Sequence, residues 1–268
     1  METVNFCYEP LQLLPYIDWS YFFHAWGITP NKQETNEATQ LKNDAIDILH
    51  KEKCEKVSAL FRLCNARSEE DNLLLDGVRL PLLRQQHTHC DTPNLCLSDF
   101  VSPEKDHVGI FATSISEKFE AQYNDDPYQH MLAQTLADRL TEAAASLLHS
   151  NVRTQKELWG YAPDEKFTPQ ELNSEPYTGI RPAIGYPSLP DQTIIFIIDK
   201  LLGLSQINIT LTANGAMHPH ASICGLMFAH PAARYFNIGK ISNEQLEDYS
   251  RRRNIPIDEM KKFLSRNI

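Results

Sequence analysis

The clearest periodic signal runs from residue 127 to 149, where Leu132, Leu136, Leu140, Ala143 and Leu147 fall on one stripe at helical spacing. Asp126 ahead of Pro127 supplies a cap and a first-turn proline, so the start of this helix is marked as clearly as its buried face. Its opposite side carries Met131, Asp138, Glu142 and His149. Three polar side chains in that position are what a solvated helix surface presents. Leu41, Ala45, Ile48 and Leu49 predict another helix over 41–53, and Asp18-Trp19-Ser20 can cap a short helix inside the aromatic stretch 14–23. Strands are expected over 57–63, 95–101, 107–114 and 223–228 and near Leu211, with a turn at 102–105 between the second and third. Residues 72–87 mix both periods. The stretch 150–190 loses periodicity and gathers prolines, as an ordered loop would; a helix over 191–203 and two short polar helices over 244–267 complete the chain.

Composition narrows the class. At 268 residues, 42% hydrophobic and 22% charged, the chain can bury a sizeable core, and without repeats or a Gly/Ser linker it reads as one domain over 1–268. The longest apolar run, Ile194 to Ile198, is far short of the roughly 18 to 20 residues of a membrane span, and the N-terminus shows no secretory signal, so a cytoplasmic protein without membrane contact is expected. The 25 basic against 35 acidic residues, net −10, argue against a nucleic-acid partner. Cys7, Cys54, Cys64, Cys90, Cys96 and Cys224 form no C-x-x-C pair and are expected as reduced thiols. Neither His87-Thr88-His89-Cys90 nor His218-Pro219-His220 has the spacing of a zinc site, and no bound metal is expected.

The chain contains no phosphate-binding glycine loop and no serine-hydrolase elbow. Its most informative stretch is Gly179-Ile180-Arg181-Pro182-Ala183-Ile184-Gly185-Tyr186-Pro187. A guanidinium, a backbone bare of side chain and an aromatic ring in so short a turn could hold a small ligand with a carboxylate and a flat ring. A proline-braced structural turn would look the same.

Context separates these readings. Pro15-Tyr16-Ile17-Asp18-Trp19, Ala137-Asp138-Arg139-Leu140 with Glu142, Trp159-Gly160-Tyr161-Ala162-Pro163, Arg181 to Pro187, and His230-Pro231 with Tyr235 stand in an order that resembles the activation domain of cobalamin-dependent methionine synthase, over about residues 11–265. The resemblance implies an α+β fold, a C-shaped single domain in which helices flank a twisted antiparallel sheet. It also implies binding of S-adenosylmethionine in a shallow groove. There the sulfonium methyl is presented to the cobalt of cob(II)alamin on a methionine synthase core, while flavodoxin or another reductase supplies an electron. Cobalamin would come only through the partner, and positioning alone would be the catalysis, with no acid or base from this chain.

Carried over residue by residue, the resemblance gives Asp18 to the ligand's α-amino group and Arg181 to its carboxylate. Ala183, Gly185 and Tyr186 line the groove, Tyr235 and Phe236 lie at the adenosine and sulfonium end, and Glu142 is a helix acid near the same site. His149 matches a family histidine without an assigned role. The chain departs from the family at Ile184 (commonly proline), Phe236 (commonly tyrosine) and His218 (commonly tryptophan). It also lacks the D-x-H-x-x-G cobalamin motif and the zinc cysteines of the homocysteine site. The expectation is therefore a separate chain acting in trans on a core, with flavodoxin engaged indirectly. The alternative is a module that senses S-adenosylmethionine or binds another corrinoid protein without methyl transfer.

Overall fold

The computed structural model describes residues 2–51, 55–86 and 93–268. One antiparallel sheet contains β1 (Val4–Tyr8), β2 (Val57–Glu69), β3 (Asn72–Leu75), β4 (Val78–Pro81), β5 (Asp106–Ile115) and β8 (Ser222–Met227), while β6 (Thr210–Leu211) and β7 (Met217–His218) pair separately. β2 is the spine. It pairs with β5 from Val57↔Ile115 to Ala66↔Asp106, while its other edge takes β1 at the start and β3 at the end. β8 then adds to the far side of β5. The β3–β4 hairpin turns at Asp76-Gly77, both with positive φ (48° and 85°), the pairing that matches the natural twist of a two-residue hairpin. Asp76 also accepts from the Asn65 amide at 3.0 Å and from Arg62 Nη2 at 2.7 Å, which ties the hairpin to the spine.

Helices cover both faces of the sheet, so β2 reads as a nearly continuous apolar run. Side chains alternate across it. Val57, Ala59, Phe61 and Leu63 pack with the helix α5 (Pro127–Thr154) through Leu132, Leu136, Leu140 and Leu148. Leu60 and Cys64 face the opposite layer, where α7 (Ile195–Leu202) brings Ile195, Ile198 and Leu202. Gly203 closes α7 in the left-handed conformation (φ 73°), the usual end of a helix whose next residue needs no Cβ. Around α5 lie the short α1 (Pro10–Leu13), α2 (Trp19–Ala25), α3 (Asn36–Lys51) and α4 (Lys118–Ala121), and α6 (Pro169–Leu172) sits in the loop beyond it. A third cluster joins α8 (Asn243–Arg253) and α9 (Ile257–Phe263) through Leu246, Tyr249, Met260 and Leu264. It is latched to the body by the fully buried Asp191, which accepts from Tyr249 Oη at 2.8 Å and from Arg253 Nε at 3.1 Å.

Several expectations are corrected. Residues 95–101 form no strand: Cys96 makes a single bridge to Arg84 and Leu97–Phe100 winds into a 3-10 turn, because the Asp99 carboxylate accepts from the Cys96 amide at 2.8 Å and takes it out of any ladder. β2 runs on to Glu69 rather than ending at 63, α3 starts at Asn36, and α5 continues to Thr154. The stretch 150–190 contains α6 and two further bridges, at Ile180 and Ala183, and β1 was not foreseen. The helix expected over 191–203 begins as a 3-10 turn, Gln192–Ile194. His87, His89, Cys90 and Cys54 lie outside the described residues. Among the described ones, Cys7, Cys64, Cys96 and Cys224 are free thiols, and no helix is long and apolar enough to cross a membrane.

Gly225 in β8 is the tightest point of the sheet: a Cβ there would lie 2.5 Å from the Pro182 carbonyl oxygen and 2.8 Å from the Phe111 ring. Gly225→Ala is expected to cost about 1–3 kcal/mol, read as a lower urea midpoint with unchanged slope. An unaltered midpoint would show that the neighbouring segment moves aside freely.

Candidate functional site

The site begins where residues 180–184 lay an extra edge against β8. Ile180 N donates to Phe228 O (3.0 Å), Phe228 N to Ile180 O (2.9 Å), Leu226 N to Pro182 O (3.0 Å) and Ile184 N to Cys224 O (2.9 Å). Pro182 suits this position because an edge residue offering only its carbonyl loses no ladder bond. Alternation then decides the rest: Ile180 and Ile184 enter the α7-side core, so Arg181 and Ala183 point to the α5 side. The Arg181 amide, directed away from β8, donates to Tyr235 Oη at 3.0 Å.

Across from it, α5 presents Glu142 and, one turn on, Ser146. Arg181 Nη1 donates to Glu142 Oε2 at 3.3 Å and Nη2 to Ser146 Oγ at 3.2 Å, both long for a guanidinium, while Nε is buried without a partner. Burial works against the charge on Arg181, but the Glu142 carboxylate and the Tyr177 and Tyr235 hydroxyls more than offset it and hold the pKa above the ordinary range. Tyr186 donates to Glu142 Oε1 at 3.3 Å; burial and then Glu142 raise its pKa. The turn that delivers Tyr186 depends on Gly185 (φ 87°), whose amide donates to Leu189 O at 2.9 Å. The rings of Tyr186 and Tyr235 stand 54% and 41% exposed, open to a ligand rather than packed away.

Glu142, Arg181, Tyr186 and Tyr235 are thus brought together, with Ala183 and Gly185 in the connecting turn. Asp18 caps α2 by accepting from the Ser20 amide at 2.9 Å, and no hydrogen bond joins it to Arg181 or Glu142. Phe236 turns into the apolar layer, 6.4 Å from Phe100. Beside the cluster, Arg139 lies 5.9 Å from the Tyr21 ring in an open groove of about 610 Å³ between α2 and α5.

The polar stripe of α5 is not the solvated face that its composition suggested. Met131 and Asp138 are exposed, Glu142 is half-buried, and His149 is 1% exposed. Sequence reasoning also missed Ser146, Arg153, Tyr161 and Tyr177. The signal was available for the first two, since Glu142, Ser146, His149 and Arg153 recur at helical spacing. Among the described residues, no set of His, Cys, Asp and Glu gathers as metal ligands.

The structure is thus a sheet covered by helices on both faces, with an arginine-bearing turn on its edge. The chain matches the family model for the vitamin B12 dependent methionine synthase activation domain over residues 11–254, and it belongs to that family. It is also similar to a solved structure described as the MetH reactivation domain bound to AdoHcy, at 34% identity and a TM-score of 0.91, covering 100% of this chain and 90% of that one.

His149 gives the cluster a pH signature. Burial, then Arg153 and Arg181, depress its pKa well below 6.5, so the folded state keeps a neutral imidazole. Above the unfolded pKa of about 6.5 neither state carries the proton and stability is unaffected. Below it only the unfolded chain gains the proton, so stability should fall by up to about 1.4 kcal/mol per pH unit. Urea unfolding from pH 7 to 5 should show this slope in wild type and less of it in His149→Phe; equal slopes would mean that His149 titrates normally.

Proposed function

We propose that this chain binds S-adenosylmethionine across the α5–Arg181 cluster and presents its methyl group to the cobalt of a cobalamin-bearing methionine synthase core, the reductive methylation that restores an oxidised corrinoid. The observation that carries this reading is the Arg181 guanidinium. It is held in place by long bonds to Glu142 and Ser146 and retains a buried Nε–H with no acceptor. A carboxylate arriving there gains a charge-assisted, planar partner. The solved relative supports the same chemistry, since AdoHcy is what S-adenosylmethionine becomes when its methyl leaves.

The remaining roles are those that the family resemblance implies. Asp18 and Glu142 supply the negative charge that an α-amino group requires. Ala183 and Gly185 keep the turn free of bulk, and Tyr186 and Tyr235 offer exposed ring faces to the adenosine and the sulfonium, with Phe236 behind them. A sulfonium methyl is already activated, so the chain moves no proton. Its work is to hold the donor sulfur and methyl in line with the acceptor and keep water out of the approach. Cobalamin, bound by the partner, supplies the metal that accepts the methyl. One electron comes from flavodoxin or another reductase, which contacts the core rather than this acidic chain of net charge −10.

Calorimetry with S-adenosylmethionine should show Arg181→Ala weaker by about 1.5–3 kcal/mol, and Arg181→Lys also weaker because an ammonium cannot reproduce the planar fork. Equal affinity in wild type and Arg181→Ala would overturn the assignment. Adding the chain to a cob(II)alamin-loaded core with reductant and S-adenosylmethionine should yield methylated cobalt and S-adenosylhomocysteine. Ligand binding without that yield would reduce the role to sensing.

A further inference from the structure

Behind Arg181 lies a second layer of side chains. Arg153 is 1% exposed, donates from Nε to Glu165 Oε2 at 2.7 Å, and sets its guanidinium 4.1 Å from the centre of the Tyr177 ring. His149, equally buried and one turn earlier on α5, meets the same ring edge to face, with centroids 5.1 Å apart and planes at 86°. The imidazole is itself fixed by a 3.0 Å hydrogen bond between Nε2 and Tyr161 Oη. The other oxygen of Glu165 accepts from the Thr178 amide at 2.9 Å, which anchors the residue next to Tyr177. Tyr177 and Thr178 lead directly into residues 180–184, which carry Arg181 along β8, and the Arg181 amide donates to Tyr235 Oη at 3.0 Å.

A buried guanidinium is an expensive way to stabilise a core, because a well-packed apolar side chain of similar volume does as well or better. Here the charge has a geometric use. A cation over one part of a ring and an imidazole edge against it restrict Tyr177 more than apolar contacts would, since both contacts are directional. A charged imidazole would add a third cation beside Arg153 and Arg181, so the edge contact belongs to the neutral form. We infer that His149 and Arg153 are positioning residues for the ligand site: by gripping Tyr177 they fix the start of the segment from which Arg181, four residues on, reaches the ligand. The inference rests on the reading of Arg181 as the ligand's anchor.

The test compares wild type, Arg181→Ala, Tyr177→Leu, His149→Ala and His149→Phe by calorimetric titration with S-adenosylhomocysteine, each well below its melting midpoint. Nuclear magnetic resonance follows the Arg181 amide in the ligand-free proteins. Tyr177→Leu, which removes the ring that both residues grip, should bind about tenfold more weakly. His149→Ala should lose about tenfold, and His149→Phe, which restores a ring edge, should recover most of that loss, with the Arg181 amide signal shifting and returning in parallel. A merely structural role would lower melting points without moving that amide or separating the two His149 variants. Wild-type affinity in both Tyr177→Leu and His149→Ala, alongside a loss in Arg181→Ala, would overturn the inference and leave the site standing. Absence of binding by wild type would instead overturn the reading of the site.

Discussion

The site depends on the backbone ladder that ties residues 180–184 to β8. Its bonds run through Ile180, Pro182 and Ile184, which fixes by strand alternation that Arg181 and Ala183 face α5. A one-residue slip would bury Arg181 in the α7-side core and turn Ile180 or Pro182 toward Glu142, which the burial of both layers forbids. Gly225 permits the close approach, since any Cβ there meets the Pro182 carbonyl. The register of one irregular segment therefore decides whether Arg181 stands opposite Glu142.

The opposite wall is α5, and the same helix serves two environments. Its leucine stripe packs on the sheet, while Glu142, Ser146, His149 and Arg153 form a polar seam running from half-exposed to fully buried. The charges of the seam are paired across the gap, Glu142 with Arg181 and Arg153 with Glu165, while Arg181 Nε and His149 Nδ1 are buried without a partner. Burial that would be prohibitive for an isolated ion becomes tolerable when partner and hydrogen bonds are supplied together. The result is a site whose outer members, Tyr186 and Tyr235, are open, and whose inner members are fixed.

Low catalytic demand fits this economy. In the proposed role, a donor whose methyl is already activated requires placement and an electrostatic match, and the cluster would offer those in place of a tuned acid or base. His149 is buried behind the site and kept neutral, which suits a structural edge better than a proton carrier.

The sequence alone determined the apolar stripe of α5, the capping of that helix by Asp126 and the informative turn around Arg181, because each depends on residues close in the chain. The ordered motifs that resemble the activation family also lay in the sequence, and the family is the one the chain matches. The extent of β2, the added edge at 180–184 and the burial of His149 and Arg153 were not legible. Each is set by a partner far along the chain: β5 and β8 for the strands, and Tyr161, Glu165 and Tyr177 for the polar seam. A helical face carrying Glu, Ser, His and Arg looks solvated until a second polar surface is known to cover it. That cover is a tertiary fact, because periodicity records which residues share a face and carries no information about what lies opposite.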